Sequence, residues 1–366
     1  MTELKQTTEA QQSADVDVDK LMAFVFRSVE EVGATLNTAL VVMGDQLGYY
    51  RAMAASGPTT PRRLADDTGT SEPYAREWLN AQAAGETVTY DETSGEYTLP
   101  PEQAVAFTDE SSPAYLPGFF QLALGTMRDS SRVVDQVRRG AGFGWDQHTH
   151  DVHEGCERFF RPGYNAHLVS EWLPALDGVV AKLETAGTRV ADIGCGYGAS
   201  TIIMAQAYPA ASFTGFDYHA GSIDEARTRA QAAGLGDRVR FEVAPADSFD
   251  GNGYDLVTTF DALHDMGDPV GAAEHVRSAI ADDGTWMVVE PMAGDHVQDN
   301  LNPVGRAYYG FSTLLCTPGS LSQEVGLALG AQAGPARIRD VVTQGGFTRF
   351  DRVAETPFNQ VYEIRP

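Results

Sequence analysis

The stretch Val190-Ala191-Asp192-Ile193-Gly194-Cys195-Gly196-Tyr197-Gly198-Ala199-Ser200 constrains the fold more than any other part of the chain. A short apolar run leads into three glycines at alternate positions, with an acid just ahead of them. Without Cβ atoms the backbone can turn tightly from a strand into a helix, and a ligand can touch it. The pattern predicts an open α/β sheet with a nucleotide-like cofactor at a strand end. A phosphate cradle of the Gly-x-x-x-x-Gly-Lys-Ser/Thr type is excluded, because neither Lys nor Arg occurs from Gly194 to Ala226. A dinucleotide site is harder to separate: Gly194, Gly196 and Ala199 satisfy Gly-x-Gly-x-x-Gly/Ala, and Asp217 stands about 20 residues on, where a ribose acid is expected. Asp192 tips the balance, since a carboxylate at the mouth of the loop repels a pyrophosphate and attracts a sulfonium and an ammonium.

The run matches the Asp/Glu-x-Gly-x-Gly-x-Gly pattern of class I methyltransferases, and the chain resembles that family from about Arg189 to Glu290. The resemblance implies S-adenosylmethionine as cofactor, with Asp192, Gly194, Gly196 and Gly198 around it. Ser212 to Asp217 reads as a second strand ending in an acid, whose two oxygens can accept from both ribose hydroxyls. After a helix from Ser222 to Ala233 comes a third strand, Val239 to Val243, and then Ala246-Asp247-Ser248-Phe249. In the family, the acid of this loop accepts from the adenine amino group and an apolar neighbour covers the ring. Asp247 and Phe249 resemble that pair.

Tyr254 to Phe260 reads as the fourth strand, with Phe260 placed beside the cofactor. The following Leu263-His264-Asp265-Met266-Gly267-Asp268-Pro269 resembles the Leu-His-Asp-Trp-x-Asp segment of winged-helix small-molecule O-methyltransferases. It is also similar to the same segment in an actinobacterial, mycobacterial-type methyltransferase group. By that resemblance His264 is the general base that removes the acceptor hydroxyl's proton. A phenol with a pKa of about 10 is a poor nucleophile until imidazole takes its proton, and histidine titrates near the working pH. Trp286 to Pro291 reads as the fifth strand, and Glu290 matches the acid that flanks and orients the base. Met266 departs from the family's tryptophan, and Thr259-Phe260-Asp261 offers no counterpart to its lysine. If the acceptor were an acid or already activated, placement alone would suffice and no base would be needed. Upstream, Phe160 and Tyr164 resemble the family's Phe-rich helix, which implies that they cover the bound molecules, Tyr164 the cofactor and Phe160 the acceptor; packing between domains is the competing reading. Met292 to Gly334 is an insertion over the strand ends, where Tyr308, Tyr309, Phe311 and Ser312 are candidates for the acceptor pocket or for core filling. Two final strands, within Gly345–Ala354 and Asn359–Ile364, complete a tail characteristic of methyltransferases.

The rest of the chain divides into a polar tail over residues 1–20, a mainly helical winged-helix domain over 21–110, a helical connector over 111–186 and the cofactor domain over 187–366, with its insertion at about 292–335. Apolar spacing predicts helices over Leu21–Leu36 and Thr38–Ala55, then two short helices across a glycine turn. Thr87–Tyr90 and Glu96–Leu99 flank a turn and read as the hairpin wing. A winged helix suggests DNA binding, but the net charge of −25 and the acidic wing argue against nucleic acid, and equally against an anionic membrane. In the resembling O-methyltransferases this module forms the dimer contact, which implies a homodimer. His148, His150 and His153 lack a defined ligand spacing and read as exposed loop histidines, so no metal is expected. The polar start, the absence of an apolar run of about 20 residues and three scattered cysteines point to the cytoplasm. The expected activity is methyl transfer to oxygen of a small aromatic or lipophilic acceptor. Open alternatives are a non-methylating enzyme that binds the same cofactor (a decarboxylase or hydroxylase), an NAD(P)-dependent oxidoreductase and a ligand-sensing regulator.

Overall fold

The computed structural model describes residues 16–236 and 238–366, and the chain forms two compact units that divide between Gln103 and Ala104. The expected polar tail lies outside the described residues as far as residue 15; from Val18 the chain is already helical. Asp17 starts that helix by accepting from the backbone N–H groups of Asp19 and Lys20. The helix runs unbroken over Val18–Gln46, where the sequence suggests an interruption near Asn37. The break falls instead at Leu47–Gly48, where Gly48 takes a left-handed φ of 71° that favours glycine.

The first unit continues with helices Tyr49–Ser56, Pro61–Thr68 and Glu72–Ala84 and a two-stranded antiparallel hairpin, β1 (Thr89–Asp91) and β2 (Glu96–Thr98). Trp78 centres its core, with ring centroids 4.9 Å from Tyr49 and 5.1 Å from Tyr50, and its indole N–H donates to the Leu40 carbonyl at 2.9 Å. The first half of the long helix buries little within its unit. Phe24 is 66% exposed and Phe26 64%, and Leu21, Val29, Val32 and Leu36 are also exposed.

The second unit is built on a seven-stranded sheet of β3 (Arg189–Ile193), β4 (Ser212–Asp217), β5 (Val239–Val243), β6 (Tyr254–Phe260), β7 (Ile280–Pro291), β8 (Arg349–Glu355) and β9 (Asn359–Arg365). Their order is β5-β4-β3-β6-β7-β9-β8, with β3 to β7 parallel and β9 antiparallel to both neighbours. Both faces are covered, as the near-continuous apolar strands require. Phe213, Phe241 and Met287 face one core, and Phe216, Trp286 and Tyr362 the other. The chain leaves β3 toward β4 and β5, then returns to β6 on the other side, so a crevice opens at the carboxyl ends of β3 and β6.

Helices Pro117–Arg139 and His150–His167 wall this crevice. They lie backbone to backbone. A Cβ at Gly118 would stand 2.4 Å from the carbonyl carbon of Arg158, and one at Gly155 would stand 2.4 Å from the Leu122 nitrogen. Phe119 and Phe159, one from each helix, stack with centroids 4.3 Å apart. The histidines expected to be exposed are partly built into this wall: His148 is buried with Nδ1 3.0 Å from Asp129 Oδ2, and His153 Nε2 lies 2.9 Å from the Trp145 carbonyl.

Candidate active site

The cavity at the switch point is lined by Gly194 and Gly196 of the glycine turn, by Asp217, Asp247 and Phe260, and by the turn after β6. Gly194 and Gly196 adopt φ of 73° and 53°, and a Cβ on Gly196 would meet nothing within 4 Å. The backbone at Gly196 is thus bare toward the cavity, as a ligand lying on it requires, while a Cβ on Gly194 would stand 2.8 Å from that of Ala262. Gly198 is different. Its φ is 77°, and a Cβ there would stand 2.6 Å from the Phe241 ring, so this glycine serves packing behind the turn rather than the cavity wall.

Asp217 ends β4 at the cavity, where its Oδ2 accepts from the Gly196 N–H at 3.0 Å and Oδ1 from the His219 N–H at 2.8 Å. Burial raises its pKa, against the pull of those two N–H donors. Asp247 also lines the cavity and is exposed. Phe249 does not line it: its ring is 2% exposed and packs on Phe216 and Tyr254 in the core, because the residue that follows the loop turns inward.

Asp192, expected at the mouth of the turn, is corrected most clearly. Its side chain is buried off the cavity wall and accepts from Ser200 Oγ at 2.7 Å, Thr201 Oγ1 at 2.5 Å and Thr258 Oγ1 at 2.9 Å. Thr258 sits beside it in register on β6, and Ser200 and Thr201 stand in the first turn of the helix Ala199–Ala207. The carboxylate therefore ties strand, helix and neighbouring strand together beneath the loop. Burial raises its pKa, opposed by the three hydroxyl donors.

Beyond β6 the chain makes a short turn, Leu263–Asp265, that Glu290 of β7 holds with both oxygens. Oε1 accepts from the Leu263 N–H at 3.0 Å, and Oε2 lies 2.6 Å from His264 Nδ1. His264 is 3% exposed, and its Nε2 side lies toward Asp265, whose Oδ1 is 3.1 Å away. Burial disfavours the imidazolium, yet the negative charges of Asp265 and Glu290 outweigh it and hold the His264 pKa well above 6.5. Cys316 brings its sulfur into the same group, within 4.8 Å of the donor atoms of His264 and Asp265.

Tyr164 reaches the cavity from the helix His150–His167, donates its hydroxyl to Asp261 Oδ2 at 3.0 Å and packs on Phe260. Asp261 escaped sequence reasoning. It adopts φ of 49°, accepts from Asn359 Nδ2 at 2.7 Å, and joins residues 97 and 98 positions away in the chain. Phe160, Tyr308 and Phe311 also line the cavity, together with Phe119, Trp145, Phe159 and Leu315, which no motif marked. Tyr309 and Ser312 do not line it. Tyr309 lies by Asn300, carried by the helix turn away from the face that holds Tyr308 and Phe311, and Ser312 Oγ is taken up as acceptor of the Ala331 N–H.

Residues 184–319 match the family described as Methyltransferase domain, and residues 35–109 match the Rv2258c-like winged HTH domain. The O-demethylpuromycin-O-methyltransferase of Streptomyces alboniger is 27% identical over 299 residues, covering 79% of this chain and 70% of that protein. An uncharacterised Synechococcus protein is 31% identical over 99 residues, and the chain spans only 24% of its length. The fold is similar to that of human N-acetylserotonin methyltransferase, solved in complex with SAM, at a TM-score of 0.69 and 15% identity, covering 96% of this chain and 99% of that one. The glycine turn with its bare backbone, the acid ending β4 and the two matched domains lead to one assignment: the chain is a class I S-adenosylmethionine-dependent methyltransferase with an N-terminal winged-helix domain.

Proposed function

We propose that the protein methylates an oxygen of a small, largely apolar acceptor, with His264 as general base and Glu290 as the residue that orients it. The observation that carries this reading is the buried Glu290–His264 pair, at 2.6 Å, set at the cavity wall a few residues beyond the cofactor-facing end of β6. S-adenosylmethionine supplies an electrophilic methyl group on its sulfonium. Gly194, Gly196, Asp217 and Asp247 would hold its nucleoside, and Tyr164 and Phe260 would pack beside it. Phe119, Phe159, Phe160 and Phe311 exclude water and position the acceptor. With that donor bound, His264 Nε2 would take the hydroxyl proton as the oxygen accepts the methyl group, and Glu290 would stabilise the resulting imidazolium. The exposed apolar face of the helix Val18–Gln46 supports a homodimer formed through the first unit. Three free cysteines and a high negative charge support a cytoplasmic protein that binds neither nucleic acid nor membrane. Among the described residues no helix is long and apolar enough to cross a bilayer.

The test is His264→Ala assayed against a panel of phenols by mass spectrometry of the methyl ethers. Turnover is expected to fall about 100-fold or more with unchanged affinity for S-adenosylhomocysteine. Full activity in the variant removes the base, and products lacking an added methyl group remove oxygen methylation.

A further inference from the structure

A nitrogen, an oxygen and a sulfur donor meet at one point of the cavity wall. His264, Asp265 and Cys316 each present one such atom, and the three atoms lie within 4.8 Å of one another. Metal–ligand bonds of about 2.0–2.3 Å set neighbouring ligands roughly 3–4 Å apart, so these atoms close around one small ion with little movement. His264 and Asp265 belong to the turn after β6, whereas Cys316 ends a π-helical turn, Ser312–Cys316, in the insertion. Such π turns recur at functional positions. Hydrogen bonds to the carbonyls of the first turn clamp the two pieces together. Ser320 Oγ donates to Met266 at 2.8 Å, Gln323 Nε2 to Asp265 at 3.0 Å, and the Gly330 N–H to His264 at 3.3 Å. The donor set therefore stands on a fixed frame.

Two further observations point to an ion. Asp265 Oδ1 is 3.1 Å from His264 Nε2 and yet makes no hydrogen bond, an edge of the kind that two ligands of one ion share. Behind the ring, Glu290 Oε2 lies 2.6 Å from Nδ1, the carboxylate–histidine pairing that fixes the tautomer and leaves Nε2 free for a metal. Asp265, 32% exposed at its side chain, offers the way in from the cavity, and no Lys or Arg among the described lining residues competes for it.

We propose that His264 Nε2, an Asp265 oxygen and the Cys316 thiolate form a zinc site, and that zinc bound there stops turnover by occupying the lone pair the base uses. Thiolate, imidazole and carboxylate together suit zinc, whereas magnesium and calcium take oxygen ligands. Binding releases the thiol proton to solvent, so a dication meets two anionic ligands and a neutral imidazole, and the buried site carries no net charge. Water from the cavity takes the fourth position. The inhibition rests on the reading of His264 as the base; the site does not.

The untagged full-length protein, stripped of metal by a chelator and dialysed, is titrated with cobalt(II) as a spectroscopic probe and then with zinc. One equivalent of cobalt is expected to give a thiolate-to-metal charge-transfer band with the intense visible bands of a four-coordinate ion, and zinc to abolish both. Cys316→Ser should lose the charge-transfer band and bind zinc at least about 10- to 100-fold more weakly, the loss that even an outer-shell partner causes. Cys156→Ser should keep the band. Unchanged affinity for S-adenosylhomocysteine in both variants reports that they are folded. Asp265→Asn should keep the band at a weakened affinity, which tests the site through a second ligand. A wild-type protein without the band, or a band that survives in Cys316→Ser, overturns the site. In turnover of a phenol to its methyl ether, zinc should inhibit the wild type, a chelator should restore it, and Cys316→Ser should need at least about 10-fold more zinc. Zinc bound at the site with turnover unchanged overturns the inhibition, and the base with it, and leaves the site standing. A chain that methylates no phenol defeats the oxygen-methylation reading instead, and the metal titrations, which need no acceptor, still decide the site.

Discussion

At the scale of single residues, Glu290 uses one oxygen to fix the backbone of the turn and the other to fix the ring of His264. Its charge also helps to hold the His264 pKa above the ordinary value, so the neutral, proton-accepting form appears only as pH rises through that higher value. The rate should therefore climb with pH along a limb whose midpoint lies above 6.5. Glu290→Gln removes the charge and keeps the shape, so the limb should move to lower pH while kcat falls; a pH profile of kcat/KM checks both, and an unmoved midpoint rejects the pairing. Asp217 offers a second measurement. Asp217→Ala is expected to weaken binding of S-adenosylhomocysteine by about 1.5–3 kcal/mol, the worth of hydrogen bonds to a charged group, read by calorimetry. Asp192 shows what a single residue withholds. Its charge and place were legible, but the direction of its side chain depends on three hydroxyls, one of them on another strand 66 positions away.

At the scale of elements, the glycine turn and the helix after it were plain in the sequence because their requirement is local. Gly198 makes the point testable: a methyl group there meets both a left-handed backbone and the Phe241 ring. Gly198→Ala should destabilise the second unit by about 2–4 kcal/mol, from αL strain together with overpacking, measured by denaturant unfolding. The strands β3 to β7 were legible for the same local reason, as apolar runs ending in acids or turns. The insertion was only half legible. Tyr308, Phe311 and Leu315 fall on one helical face, three and four residues apart, and that period could have set them against Tyr309 from sequence alone, whereas Ser312 shares their spacing and is withdrawn by its bond to the Ala331 N–H. No such period marks Asp261, whose role is made by Tyr164 and Asn359 arriving from distant parts of the chain. The long first helix was divided in the wrong place because its apolar residues serve no core in their own unit and so give no clean stripe.

At the scale of the whole molecule, that exposed stripe of Leu21, Phe24, Val29, Val32 and Leu36 needs a cover, and a net charge of −25 keeps most chance partners away. A second copy is the expected cover. Phe24→Glu together with Phe26→Glu should convert a dimer to a monomer in sedimentation velocity, with the cofactor affinity of the second unit unchanged; a wild-type monomer at micromolar concentration rejects the dimer. The two helices that wall the cavity touch along Gly118 and Gly155, with no space for either to slide past the other. Change in what this enzyme accepts must therefore come from exchanging rings such as Phe119 and Phe159 on a fixed frame. Relatives with new appetites should differ in furniture, not in architecture.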